Sequence, residues 1–255
     1  MRRVEHLLRA TARAEARHFW FRGFRAFVTP LLEVAAADRT QARVLDCGCG
    51  TGANLELLDR FGRAYGFDLT EIGLRIGRDA GRTRLARATV TAVPFPTASF
   101  DIVTSFDVLY SLADSEEKTA IAEMYRLLKP GGYALVNVAA MPMLRGDHSV
   151  LSREVRRYSR GDLRVRMEQA GFVIRRLTYT NATLVPPLAI ARLLQRRRGL
   201  RRESEADAEI AVPPAPVNAI LTAVMRLEAM WLRRFDAPFG SSLLCLARKP
   251  SSPTP

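Results

Sequence analysis

The amino-acid sequence predicts an α/β protein: a doubly wound, Rossmann-like sheet of seven strands with a helical N-terminal cap and a helical insertion before the last strand. Three observations carry that expectation. The stretch Val44-Leu45-Asp46-Cys47-Gly48-Cys49-Gly50-Thr51-Gly52 reads as a buried strand end, a glycine turn and a helix start, with Leu55, Leu57 and Leu58 as the apolar face that follows. A second short run, Ala64 to Leu69, carries an acid, Asp68, 20 residues after Gly48. In a doubly wound sheet an acid so placed reaches ribose hydroxyls. From there to Thr180, strand and helix patterns alternate, as parallel strands joined by crossover helices require.

The elements follow in order. From Val4 to about Val34 the pattern is helical, with Val4, Leu7, Leu8 and Thr11 on one face, and residues 1–40 form the cap. The sheet domain takes in 41–183 and 240–249. Thr70 to Ala80 is a helix with Thr70 as its N-cap; Ala88-Thr89-Val90 is the third strand and Ser99 to Ser105 the fourth. Ser115 to Leu128 is a helix stopped by Pro130-Gly131-Gly132, and Tyr133 to Ala139 is the fifth strand. A helix from Asp162 to Ala170 ends at Gly171, before the sixth strand, Phe172 to Thr180. The insertion, 184–239, opens with an apolar run broken by Pro186-Pro187 and continues through a polar, arginine-dense stretch and a proline-rich linker at 212–216. It closes with an amphipathic helix, Asn218 to Phe235, whose stripe is Ile220, Val224, Leu227 and Trp231. Ser242 to Ala247 is the seventh strand, and 250–255 is a disordered tail by composition.

The glycine turn is where the chemistry is concentrated. Glycine lets the backbone approach a ligand and adopt positive φ at little cost, and the turn offers amides and a helix N-terminus to whatever lies above it. Gly48, Gly50 and Ala53 also satisfy the dinucleotide fingerprint, so hydride transfer with a nicotinamide cofactor stays a competitor. Asp46 argues against it. An anion at the strand end repels a pyrophosphate and attracts a ligand that carries an ammonium and a sulfonium.

The run Asp46-x-Gly48-x-Gly50-x-Gly52 resembles the first motif of the class I S-adenosylmethionine-dependent methyltransferases. The track after it, Val93-Pro94-Phe95, Ser99-Phe100-Asp101, Asp107-Val108-Leu109 and Arg126 to Gly132, is similar to the family's regular order, and the resemblance covers about residues 17 to 183. The segment His18-Phe19-Trp20-Phe21 resembles the one that one bacterial subgroup of the family folds over the cofactor as a lid. The resemblance implies S-adenosylmethionine as cofactor, with Asp46, Gly48, Cys49 and Gly50 at its methionine portion and Asp68 at its ribose. It further implies Leu69 and Ala92 at the adenine faces and Phe106 beside the methyl. Trp20, Phe21, Tyr110, Arg157 and Tyr158 are the expected acceptor contacts. Two departures matter: Thr91 and Ala92 stand where many relatives carry an adenine-binding Asp, and Tyr110-Ser111 replaces a common Glu-His pair. His148, beyond the fifth strand, is then the histidine placed to contact the acceptor and take its proton, against the bland reading of a loop histidine.

Composition narrows the partners. The net charge is +13, but only three of 39 basic residues are lysines, and the arginines are spread along the chain apart from a cluster at 196–202. Nucleic-acid binders place cations in a stripe with aromatics between, so nucleic acid is not favoured. No apolar run is long enough to span a bilayer, and the N-terminus lacks the apolar core of a secretory signal. Three cysteines, two of them as Cys47-x-Cys49, make neither a disulfide framework nor a metal site. A reducing cytoplasm is the expected compartment, with peripheral contact to a membrane and a homodimer as further expectations. The activity expected is in-line methyl transfer to a small-molecule or lipid-like acceptor. An NAD-dependent oxidoreductase, an RNA methyltransferase and a non-catalytic binding protein of the same fold are the alternatives.

Overall fold

The computed structural model describes residues 9, 11–144, 154–190 and 212–251. Its strands are β1 (Arg43–Cys47), β2 (Arg63–Asp68), β3 (Leu85–Arg87), β4 (Phe100–Phe106), β5 (Leu128–Ala139), β6 (Val173–Thr180) and β7 (Ser242–Arg248). They form one sheet in the order β3-β2-β1-β4-β5-β7-β6. The first five are parallel, and β7 enters antiparallel between β5 and β6. The helices are α1 (Phe19–Ala36), α2 (Leu55–Leu58), α3 (Glu71–Asp79), α4 (Asp114–Leu127), α5 (Arg160–Gln169) and α6 (Ala215–Leu232).

Alternation along the strands builds two cores. Leu45, Cys47, Phe67 and Val103 point to the face where Ile121 and Met124 of α4 and Leu163 and Met167 of α5 pack. Val44, Ala64, Ile102 and Leu135 point the other way, against Val28 and Leu32 of α1, Leu58 of α2 and Met225 of α6. Strands buried on both faces explain why their sequences read as apolar runs.

Four elements differ from the sequence expectation. The N-terminal helical pattern breaks in a turn at residues 15–17, and α1 starts afresh at Phe19 because His18 caps it, Nδ1 accepting from the Trp20 amide at 3.1 Å. The third strand lies at Leu85–Arg87, three residues before the expected 88–90. Gly66 pairs with Leu85 there, while Thr89 and Ala92 close a small turn. Pro130-Gly131-Gly132 falls inside β5, the register shift between Phe100 and Ile102 absorbing it. Residues 185–190 are helical in spite of Pro186-Pro187, since a helix's first turn needs no amide donors there.

The insertion helix packs on the cap. A Cβ at Gly23 of α1 would collide with the side chain of Met225, so the two helices approach closely only because that position is glycine. Asn218 fixes their ends: its Oδ1 accepts from the Phe19 amide at 2.8 Å and its Nδ2 donates to the Arg17 carbonyl at 2.9 Å.

On the opposite face one fully buried acid, Glu117 of α4, gathers three donors. It accepts from the Tyr158 hydroxyl at 2.6 Å, from Arg166 at 2.7 Å and from Arg156. Removing one partner of such a cluster strands the others. Glu117→Ala is expected to cost about 3 kcal/mol in urea unfolding, because a buried hydroxyl loses its acceptor and the two guanidinium groups keep only the exposed Asp114. A cost under about 1 kcal/mol would show that water replaces the carboxylate.

Candidate active site

The direction of chain winding reverses between β1 and β4, which lie side by side while their crossovers lead to opposite edges of the sheet. Open α/β sheets hold ligands in the crevice above such a switch point. The glycine turn leaves β1 there. Gly48, Gly50 and Gly52 all have positive φ, at 76°, 58° and 75°. The amides of Gly48 and Cys49 both donate to the Phe67 carbonyl at 2.9 Å, binding the turn to the end of β2. A Cβ at Gly48 would run into Val108, the second residue after β4, so turn and β4 loop touch across the switch point.

Two expected carboxylates flank this turn. Asp46 is 2% exposed and accepts from Thr104 at 2.6 Å. Burial pushes its carboxyl up to about 7, against the lowering effect of the Thr104 bond, and the nearby Asp68 charge raises it further. Its electrostatic surroundings thus contain another anion. A cationic ligand above the turn would satisfy a site of that sign, and the glycine cradle leaves the backbone bare to receive it. The residues present therefore fit the ammonium and sulfonium of S-adenosylmethionine. Asp68 bridges elements: Oδ2 accepts from the Gly50 amide at 2.8 Å, and Oδ1 accepts from the Thr70 amide at 2.8 Å and from the Thr70 hydroxyl. A carboxylate has about four acceptor positions, so these three bonds aim the group while leaving room for a ribose hydroxyl.

The other expected residues are placed as follows. Leu69 is 63% exposed beyond the end of β2, and Ala92 is also exposed. Cys49 is buried against Gly66, its thiol pushed well above the ordinary range by burial and the adjacent carboxylates, so it contributes its backbone rather than a nucleophile. Phe106, at the end of β4, meets Phe24 of α1 edge to face at 4.9 Å. Trp20 packs into the same apolar cluster, and Phe21 stands edge-on to His18. Tyr110 is buried in the 3₁₀ turn after β4, its carbonyl accepting from the Val155 amide at 2.9 Å. Arg157 is clamped in a two-pronged pair with buried Glu154, at 2.6 and 2.9 Å, and donates to the Ala140 carbonyl at 3.0 Å. Tyr158 departs from the expectation of an acceptor contact: it is 1% exposed and its hydroxyl donates to Glu117 in the core. His148 lies outside the described residues.

Sequence reasoning missed Asp107. It is the first residue after β4, in the left-handed region at φ 61°, where its amide donates to the Asn137 carbonyl at 3.0 Å and Oδ1 accepts from Asn137 Nδ2 at 2.9 Å. The residue is exposed, with protein atoms crowded around its carboxyl. Desolvation pushes it up to about 6, opposed by the Asn137 bond and the Arg157 charge. The available signal was its place one residue beyond a parallel strand, in a conformation that Asp adopts more readily than most residues. Glu15 was also missed. It is buried beside the turn, accepts from the Thr51 hydroxyl at 3.0 Å and lies 3.8 Å from Arg82, tying the cap segment to the glycine turn.

The raised Asp46 carboxyl gives cofactor binding a pH dependence of definite sign. Its folded-state value exceeds the unfolded one, so its share of stability in the free protein is present at low pH and lost as pH rises through about 7. A cationic ligand favours the ionised form. Affinity for S-adenosylmethionine by calorimetry is expected to rise by up to roughly tenfold per pH unit below about 7 and to level off above it. A flat profile would mean that Asp46 does not face the cation.

The comparisons with known proteins fit this geometry. The methyltransferase-domain family matches residues 45–136, from within β1 to within β5. The ubiquinone/menaquinone biosynthesis C-methyltransferase UbiE of Photorhabdus laumondii is 28% identical over 58% of this chain and 72% of its own length. The demethylmenaquinone methyltransferase of Geobacillus kaustophilus is 34% identical over 41% of this chain and 48% of its own length, and for most of these curated relatives the match spans about half of their length. Among solved structures, an S-adenosylmethionine-dependent methyltransferase of Mesorhizobium loti aligns over 86% of this chain and 96% of its own at a TM-score of 0.53 and 19% identity. The cyclase SpnF aligns over 89% and 81% at 0.55 and 20%, so the fold by itself does not fix the reaction. The motif residues from Leu45 to Val136 thus match a methyltransferase domain in order, on the sheet that carries the glycine turn at its switch point.

Proposed function

We propose that the chain methylates a small hydrophobic acceptor whose reacting position is activated by loss of a proton, and that Asp107 receives that proton. S-adenosylmethionine, when bound, supplies a methyl group on a sulfonium open to in-line displacement. The protein's part is alignment, which can supply roughly 7–11 kcal/mol of the barrier, and proton removal. Asp46 and the bare backbone of the glycine turn would hold the methionine end, and Asp68 the ribose. Leu69 and Ala92 offer apolar surface to the adenine.

The observation that carries the reading is the geometry of Asp107 at the end of β4. Asn137 holds Oδ1, leaving Oδ2 to take a proton, and a carboxyl near 6 is a competent base at neutral pH. The acidic hydroxyl of an electron-rich ring is the chemistry it suits. The curated relatives named above, C-methyltransferases of quinone biosynthesis, support an acceptor of that kind.

With a dihydroxynaphthalene as acceptor and labelled S-adenosylmethionine, Asp107→Asn is expected to lower kcat by about 100-fold and to leave cofactor affinity unchanged. The parent's kcat/KM should rise with pH through about 6, where Asp107 ionises. A variant that keeps kcat within a few-fold would remove Asp107 from proton transfer.

A further inference from the structure

Helix α6 is folded against the rest of the protein by its more polar face. On a 3.6-residue repeat, Asn218, Thr222, Met225, Ala229 and Leu232 share one side, and that side is buried on α1. Glu228 lies beside it, also buried, accepting from the amides of Ala182 and Thr183 at 2.8 and 3.1 Å. The apolar stripe of the same helix points outward. Ile220 and Leu227 are each 64% exposed and Trp231 is 47% exposed; Met230 and Phe235 extend the row, with Phe235 stacked on Trp231 at 5.4 Å. A helix that uses a buried Asn, Thr and Glu to dock while leaving its large apolar side chains in water has its hydrophobic face turned to something else.

Charge identifies the occupant. Arg226 and Arg233 stand on one margin of the apolar row, and Arg234 stands within it. The helix's acids are turned away: Glu228 is buried, and just past the helix Asp236 pairs with Arg176 at 2.9 Å. Beside the row, Arg22, Ala219, Thr222, Ala223, Arg226 and Leu227 line an open groove of about 410 Å³ with an apolar floor and two guanidinium groups. Arg233 also reaches the exposed Glu33 of α1 at 3.6 Å, which leaves Arg226 and Arg234 as the cations beside the row with no carboxylate partner among the described residues. An apolar row ending in a tryptophan with cations along it, on a chain of net charge +13, matches an anionic lipid surface. No helix among the described residues is long and apolar enough to cross a bilayer, so the contact is one of lying on the surface.

We propose that the outward face of α6 seats the protein on anionic membranes, Ile220, Leu227 and Trp231 entering the interface and Arg226, Arg233 and Arg234 meeting the headgroups. The proposal stands apart from the methyl-transfer reading, since binding is read without turnover.

The test is flotation of the full chain with vesicles of phosphatidylcholine alone or of phosphatidylcholine and phosphatidylglycerol at three to one, at low and at physiological salt. The expected result is co-flotation with the anionic vesicles only, weakened by salt. Leu227→Asp with Trp231→Ala should weaken it at least roughly tenfold, with the melting temperature unchanged because both side chains are exposed. Ile220→Ser is the milder second variant. Three results would overturn the proposal: a parent that stays soluble with both vesicle types, variants that float as well as the parent, or a parent that is a dimer by light scattering and becomes monomeric in the variants. The last would assign the face to a second copy of the chain.

Discussion

The bond from the Gly50 amide to Asp68 is the constraint on which the site depends. It joins the glycine turn after β1 to the end of β2, and the same carboxylate holds Thr70 at the start of α3. Two further amides of the turn reach the Phe67 carbonyl one residue earlier. The turn is thus fixed at several points by its neighbour strand before any ligand arrives. Its positive φ values, which only glycine adopts at little cost, are held by these hydrogen bonds together with the close packing of Gly48 on Val108. Cofactor binding then needs little reordering of backbone, which limits its entropic cost.

Around that fixed turn the chain collects carboxylates at unequal depth. Asp46 is buried, Asp68 bridges the turn and α3, and Asp107 is exposed at the end of β4. Their surroundings separate their tasks. A buried acid beside another acid attracts a fixed cation, whereas an exposed one, with one oxygen held by Asn137, can exchange a proton. The cap closes the arrangement from the other side: Glu15 reaches Thr51 of the turn, and Phe24 of α1 meets Phe106 of β4. Helix α6 in turn grips the start of α1 through Asn218. The outward apolar face of α6 is therefore one helix removed from the reaction site.

What the sequence disclosed was local. Asp46 to Gly52 and the spacing to Asp68 were legible because a strand, a turn and a helix start are written in consecutive residues. The third strand was placed three residues late because Thr89 and Val90 look like strand residues, whereas pairing is decided by Leu85 meeting Gly66. Asp107 escaped notice because its role rests on Asn137, thirty residues away on β5. Tyr158 is a similar case: the resemblance implied an acceptor contact, but Glu117 on α4 draws it into the core. The stripe on α6 was correctly seen as a stripe. Which side of the helix is buried could not be read, since periodicity reports a face and not its direction.

The central claim, that this turn is built for a cationic nucleoside rather than a dinucleotide, is tested most directly by calorimetry with three ligands on one preparation. S-adenosylmethionine and its demethylated product should each bind a single site, and Asp68→Ala should weaken both by at least roughly tenfold. NAD should give no heat of binding at concentrations that saturate the other two. Saturable binding of NAD with none of S-adenosylmethionine would contradict the account of Asp46 and of the reaction built on it.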